Sequence, residues 1–313
     1  MSSFWSRAKV LVTGGHGFLG SHLLEGLKAQ GCEKIIAPTH AECDLRDPKA
    51  VHSLFKKDSY DLIFHLAASV GGIGANRASP ANFFYDNILM GSYVIDGCAK
   101  AGIGRLIFLG SICGYPKFAP LPFKEESIWD GYPEETNAPY GIAKRALLVA
   151  CQAYKQQYGL KFSAVFPTNL YGPRDDFNFE TSHVIPAIIR KCEDARTTQS
   201  QVVHLWGTGS PSRDFLYVKD VVRGLLLAAE KQEAEGEFMN LGSEHEIKIL
   251  ELAQLIAKKS GFKGEFKWDV SQPDGQPRRC VSNERARKLL GFVPSYDLEK
   301  GLEETIHWYR ESF

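Results

Sequence analysis

Two short stretches carry side chains able to move protons. In "NAPYGIAKRALL", Tyr140 and Lys144 stand at i and i+4, so on a helix they share a face. A lysine ammonium beside a phenol favours the phenolate and draws the tyrosine toward acid–base work near neutral pH. On its own this spacing is an ordinary exposed helix pair. In "FLGSICGYP", an apolar run from Arg105 ends on Ser111, Cys113 and Tyr115. In extended backbone, Ser111 and Cys113 point to the same side. A thiol titrates near ~8.5 and an imidazole near ~6.5, so both exchange protons close to neutrality. A cysteine near a strand is otherwise a small buried hydrophobe. Tyr115 receives no role.

These residues need elements to hold them. "KVLVTG", "KIIAP", "DLIFHLAA", "RLIFLGS" and "FSAVFPT" read as buried parallel strands. Amphipathic stretches alternate with them, such as "GSHLLEGLKAQG" and "ILMGSYVIDGCAKAG", with Gly31 and Gly102 as C-caps. The alternation predicts an α/β fold, a Rossmann-type doubly wound parallel sheet, to about residue 170. Beyond it "VIPAIIRKCEDA", "ILELAQLIAKKSG" and "LEKGLEETIHWYRES" read as helices of a smaller α/β unit. The expected division is a dinucleotide-binding domain over 1–170, with a return segment near 214–235, and a mainly substrate-binding domain over 171–313.

In "LVTGGHGFLGSHL", Gly14, Gly15, Gly17 and Gly20 lie between the first strand and first helix. Their spacing satisfies G-x-G-x-x-G from Gly15, in the strand–turn–helix context that brings backbone N–H groups against a pyrophosphate. The second strand should end near the adenosine ribose. There "PTHAECDL" lacks an acidic residue directly after the strand, which leaves a 2′-phosphate unrepelled and favours NADP(H). No arginine replaces the acid, so Thr39, His40 or backbone groups would hold the phosphate. Asp44 and Leu45 are candidates for the adenine edge.

Bulk composition narrows the function classes. The 313 residues carry equal numbers of acidic and basic side chains, giving a formal net charge of +0. That argues against nucleic acid as a partner. Seven cysteines, an odd number without C-x-x-C spacing, argue against a disulfide framework or zinc knuckle and for a reducing cytoplasm. No run approaches the roughly 18 apolar residues of a membrane helix.

With these motifs in hand, the chain resembles the extended short-chain dehydrogenase/reductases that modify nucleotide sugars. The resemblance rests on the Ser-x-Cys strand end, "HLAASVGGIGANRASPANFFYDN", "PTNLYGPRDDFN", "SHVIPAIIRK", "VVHLWGTGSPSRDFLYVKD" and "PDGQPRR". It implies a reductive triad of Ser111, Tyr140 and Lys144, and an epimerising pair of Cys113 and His183. Cofactor contacts are implied at Gly14, Gly15, His16, Gly17, Phe18, Leu19, Gly20, Thr39, Asp44, Leu45, Ala67, Tyr140, Lys144, Pro167, Asn169, Leu170 and His183. A GDP-sugar site is implied at Asn169, Lys191, Trp206, Arg213 and Arg279, with no metal.

The implied activity is an NADPH-dependent 3,5-epimerase/4-reductase acting on GDP-4-keto-6-deoxy-D-mannose. Alternatives are the same chemistry, or the 4-reduction alone, on another GDP-4-keto sugar such as a 6-deoxy-heptose, and an NAD-dependent nucleotide-sugar epimerase. The chain departs from bacterial relatives at Ile112 and Gly114, beside Cys113, where the sugar pocket can be reshaped. It also lacks the arginines those relatives carry near the positions of His16, Pro38 and His40. The resemblance further implies a homodimer.

Overall fold

A computed structural model describes residues 4–313. Six parallel strands form the main sheet. They are β1 (Lys9–Thr13), β2 (Lys34–Ile36), β3 (Leu62–His65), β4 (Arg105–Leu109), β5 (Phe162–Pro167) and a later strand, Phe238–Leu241. The order is β2-β1-β3-β4-β5 followed by Phe238–Leu241. The strands are apolar runs rather than alternating ones, because helices cover both faces.

Helix α1 (Phe18–Ala29) and the helix Val218–Glu230 share one core with Val10, Val12 and Phe64. On the other face, α2 (Pro48–Lys57), α4 (Pro80–Ala101) and α5 (Ala138–Tyr158) pack Phe55, Val94, Ile95 and Leu147 against Leu11, Ile63 and Phe108, while the short α3 (Ile73–Ala78) precedes α4. Gly102 caps α4 in the left-handed conformation, and Gly31 lies one residue past the α1 cap, Gln30.

The chain runs from β1 outward to β2, then crosses back to β3 on the other side of β1. Connections on the two sides of that switch point diverge and leave a crevice at the carboxyl ends of the strands. Both the glycine turn after β1 and the Ser111–Cys113 stretch after β4 open onto it.

The remaining strands build smaller sheets. From β5 the chain passes through Thr168 into β6 (Asn169–Tyr171), which pairs in parallel with Ser212–Tyr217. Thr168 Oγ1 and Asn169 Nδ2 both donate to the Asp214 carbonyl, at 2.8 and 2.9 Å, so the two layers are tied where they meet. Helix α6 (Val184–Thr198) packs with Ile249–Ser260 and Leu298–Ser312 around Ile188, Ile189, Leu252 and Ile306. Within the segment expected to return to the main sheet, Ser212–Tyr217 belongs to the smaller sheet and Val218–Glu230 packs on α1; the sixth strand lies just beyond, at Phe238–Leu241.

The strand leading to Ser111 stops earlier than its apolar run suggests. β4 ends at Leu109, and Ser111 caps a single 3₁₀ turn over Ile112–Gly114 by accepting from Cys113 N at 3.2 Å. Ser111 and Cys113 therefore share the crevice through a turn, not through strand alternation. Helix α5 closes on that turn at Gly141, where an added Cβ would lie 2.1 Å from the Cys113 carbonyl oxygen. Gly141→Ala must push the helix off the turn. The expected outcome is destabilisation by about 2 kcal/mol or more, read as a lower melting temperature, together with loss of turnover.

Candidate active site

The crevice is a cavity of about 1010 Å³. The glycine turn, the ends of β2 to β5 and the turn at Ser111 form one side. The loop before α6, α6 itself, and the ends of the strands Val202–Trp206, Ser212–Tyr217 and Arg278–Arg279 form the other. Of the catalytic, cofactor-binding and substrate-binding candidates from the sequence, all line this cavity except Gly15, Asp44 and Lys144.

The glycine turn fits a dinucleotide pyrophosphate. Gly14 has φ +73, and a Cβ on it would lie 2.7 Å from Ala67 N. At Gly20 a Cβ would meet the Gly14 carbonyl oxygen at 2.0 Å, so α1 starts flush against the turn. No side chain caps α1 at Gly17, which leaves its first N–H groups facing the cavity rim for an anion. Gly15 is spent inside the turn, its Cβ position 2.8 Å from Ala37 Cβ. Asp44 stands between the lining residues Cys43 and Leu45, with its carboxylate held by Arg46 at 2.9 Å. That guanidinium holds it well below the usual carboxylate range, at about 2.

The proton-moving groups meet at the centre. Tyr140 is buried beside Ser111 and Cys113. Burial and the neighbouring Cys113 push its phenol well above the ordinary tyrosine range, while a hydrogen bond with Ser111 acts in the opposite direction. The Lys144 ammonium bonds elsewhere. Its Nζ donates to the Leu109 carbonyl at 3.0 Å and lies 5.7 Å from the centre of the Tyr140 ring. Burial thus favours the neutral phenol, the form that can give a proton. Lys144 is itself fully buried, and desolvation pushes its ammonium down to about 8.

Across the cavity, His183 is the N-cap residue of α6. Its ring presents surface, but that surface is cavity wall with protein around it. Burial pushes its pKa below the usual imidazole range against a smaller upward pull from Asp176. Cys113 Sγ accepts from Arg279 Nη1 at 3.5 Å, so negative charge on the sulfur would face a guanidinium. Arg279 is the register partner of Arg213 in the parallel ladder, which places two guanidiniums side by side. Burial, then the charge of Arg279, push Arg213 down to about 9. Lys191, lowered by burial, donates to the His204 carbonyl at 2.8 Å. Among the described residues, none of these three cations forms an ion pair, so an incoming diphosphate is the charge they lack. Trp206 is 58% exposed at the cavity mouth, opposite Gly74 of α3.

Several cavity residues were not singled out from the sequence. Asn76 Oδ1, Asp175 Oδ2 and Ser182 Oγ are buried without hydrogen-bond partners, and all three residues line the cavity. Burial raises the Asp175 carboxyl to about 7. The doublet Asp175–Asp176 in "GPRDDFN" was a visible cue to that wall; Asn76 offered none. Gly114 turns away from the cavity toward Arg145, whereas Ile112 lines it. Among the described residues, no cluster of His, Cys, Asp and Glu suits a metal ion, and no helix is long and apolar enough to cross a membrane.

A switch-point crevice with a glycine turn at one end, a Ser/Tyr/Lys set at its centre and paired cations at the other defines a Rossmann-type enzyme site for a dinucleotide and an anionic substrate. Comparison with known proteins agrees. The model of the NAD dependent epimerase/dehydratase family matches residues 10–242, and the chain belongs to that family. It is 42% identical to a GDP-L-fucose synthase of Sinorhizobium fredii over 95% of this chain and 94% of that one. A GDP-L-fucose synthetase of Naegleria fowleri, solved bound to NADP, superposes with TM-score 0.87 at 30% identity, covering 97% of this chain and 94% of that one. A GDP-6-OMe-4-keto-L-xylo-heptose reductase of C. jejuni superposes with TM-score 0.92 at 26% identity, covering 98% and 99%.

The buried ammonium of Lys144 gives a pH signature. Between about 8 and the ordinary 10.5, the unfolded chain holds more protons than the folded one, so stability rises with pH through that window. Below it the full cost of burying the charge, on the order of 3 kcal/mol, is present. Lys144→Met should therefore melt at the same or a higher temperature at pH 7, with the gain shrinking toward pH 10.5, while reductase activity is lost. Thermal unfolding across that range, beside an activity assay, measures both.

Proposed function

We propose that the protein is an NADP-dependent 3,5-epimerase/4-reductase that converts GDP-4-keto-6-deoxy-D-mannose to GDP-L-fucose. One observation carries the reading: a Cys/His pair and a Ser/Tyr pair open on a single cavity, with Ser111 and Cys113 on one turn. The relatives at about 40% identity over nearly the full chain support it.

The keto group at carbon 4 acidifies the hydrogens on carbons 3 and 5. Cys113 Sγ, with Arg279 beside it, takes a proton from one face of the ring. His183, entering from the opposite wall, returns one from the other face; burial makes its imidazolium a readier donor than free histidine. Negative charge that builds on the carbon 4 oxygen is met by the Ser111 hydroxyl and the neutral Tyr140 phenol. Bound NADPH supplies the hydride that reduces carbon 4. Tyr140 gives its proton to the oxygen, and Lys144, fixed on the Leu109 carbonyl, holds a positive charge beneath it. Arg213, Arg279 and Lys191 take the diphosphate end, and Trp206 at the mouth offers a face for the guanine.

In this reading residues 1–170, with the helix and strand that return to the main sheet, hold the dinucleotide, and the remainder of 171–313 holds most of the GDP-sugar. The chain acts as a homodimer joined through helices that include α5, and it resides in the cytoplasm, in keeping with seven free cysteines. A second reading takes a GDP-4-keto-heptose, supported by the similarity to the heptose reductase and by Ile112 in the cavity wall. Gly114, which faces Arg145, lends it nothing.

Turnover in D2O separates these readings. The expected product carries solvent deuterium on carbons 3 and 5 and a reduced carbon 4. Cys113→Ala and His183→Asn should each lower deuterium incorporation by about 100-fold or more, with binding of the GDP-sugar retained. Reduction without carbon-bound deuterium leaves a plain 4-reductase, and faster turnover of a keto-heptose replaces the fucose reading.

A further inference from the structure

The loop 172–183 joins β6 to α6 and ends on His183. Asp175, Asp176 and residues 179–183 line the cavity, so this loop is a strap laid along its wall. It is tied in three places. Its far end meets the segment before α3, where Gly72 N donates to the Thr181 carbonyl at 3.2 Å. In its middle Phe177 is buried, with its ring centre 4.8 Å from that of Tyr309. Its near end is tied to α1. Arg174 donates to both oxygens of the Glu25 carboxylate, at 2.6 and 2.9 Å, and to His22 Nδ1 at 2.8 Å. His22 Nε2 lies 2.8 Å from the Pro173 carbonyl.

The partners dictate the roles. A guanidinium can only donate and a carbonyl can only accept, so His22 is neutral with its proton on Nε2. Burial, and to a lesser degree the Arg174 charge, lower its pKa in keeping with that state. Arg174 stands at φ 67, in the left-handed region that disfavours a residue with a Cβ. Partners 149 and 152 residues away along the chain hold it there, across the seam between the main sheet's helix and the strap. A bidentate arginine–carboxylate pair fixes direction as well as distance. Neither Arg174 nor Glu25 is among the cavity-lining residues, so any effect they have on turnover runs through the strap.

We propose that Arg174, clamped by Glu25 and His22, is a positioning residue: it fixes the strap so that His183 faces the ring carbon opposite Cys113. The inference rests on Cys113 and His183 acting as the epimerising pair, and adds what aims the histidine. When the strap shifts, the two halves of inversion come apart. Cys113 still takes a proton from the ring carbon, its thiol exchanges that proton with solvent, and the same sulfur returns a deuteron to the face the proton left. His183 no longer delivers to the other face. Deuterium then enters the substrate without inversion.

Turnover in D2O, with NMR of recovered substrate and product, reads the ratio of deuterated but uninverted substrate to inverted product. That ratio does not depend on how much of the enzyme is folded. Arg174→Gly keeps the left-handed backbone without steric cost and removes the guanidinium. It should raise the ratio by on the order of tenfold, with KM for the GDP-sugar within about twofold because Lys191, Arg213 and Arg279 are untouched. Glu25→Ala, at an exposed helix position, should move the ratio the same way by a smaller factor. The double variant should not exceed Arg174→Gly alone, as expected of groups that act as one unit. An unchanged ratio in Arg174→Gly, with only the melting temperature lowered, overturns the inference and leaves the epimerase reading standing. Wild type that puts no deuterium on carbon overturns both.

Discussion

Helix α5 lies against the turn after β4 so closely that Gly141 has no room for a methyl group. This contact does more than pack the core. It fixes Tyr140 beside Ser111 and Cys113, and it places Lys144 under the sheet end, where its ammonium donates to the Leu109 carbonyl. The turn itself is stiffened by the Ser111 hydroxyl, which accepts from the Cys113 amide. A shift of α5 by the width of one methyl group would part the hydroxyl, thiol and phenol that share this corner. The apolar packing of α4 and α5 against β3, β4 and β5 supplies the force that holds the helix there, and the glycine permits the approach.

The cavity is graded in charge along its length. One end presents the backbone N–H groups of the first turn of α1. In its middle, burial disfavours charge on Tyr140 and His183. The far end concentrates Arg213, Arg279 and Lys191, with Arg213 and Arg279 adjacent in the strand ladder. Buried like charges at that spacing repel each other and lose hydration, costs that an anion between them removes. A substrate with a diphosphate tail and a neutral reacting ring matches this gradient. The tail is drawn to the cations, and the ring comes to rest beside Tyr140 and His183.

Much of this was legible in the residue order. The glycine turn, the parallel strands, the Tyr140/Lys144 pair and the Ser-x-Cys strand end are local patterns. Local patterns survive folding because backbone geometry within a few residues dictates them. Reading failed where a residue's neighbours come from elsewhere in the chain. Lys144 was expected to lower Tyr140, yet its head group finds a carbonyl of β4, and burial dominates the phenol. Gly114 was weighed as a pocket residue, yet it faces Arg145 of α5.

By itself the sequence determined the doubly wound fold and the glycine turn after its first strand, because hydrophobic period and glycine spacing act over short stretches of chain. Tertiary structure alone decided the burial that shifts Tyr140, Lys144 and His183, and the pairing of Cys113 with Arg279, 166 residues apart. It also decided the convergence of His183 on the opposite wall. Desolvation and Coulomb interaction depend on distance through space and on the protein mass around a group, and the order of residues along the chain carries neither.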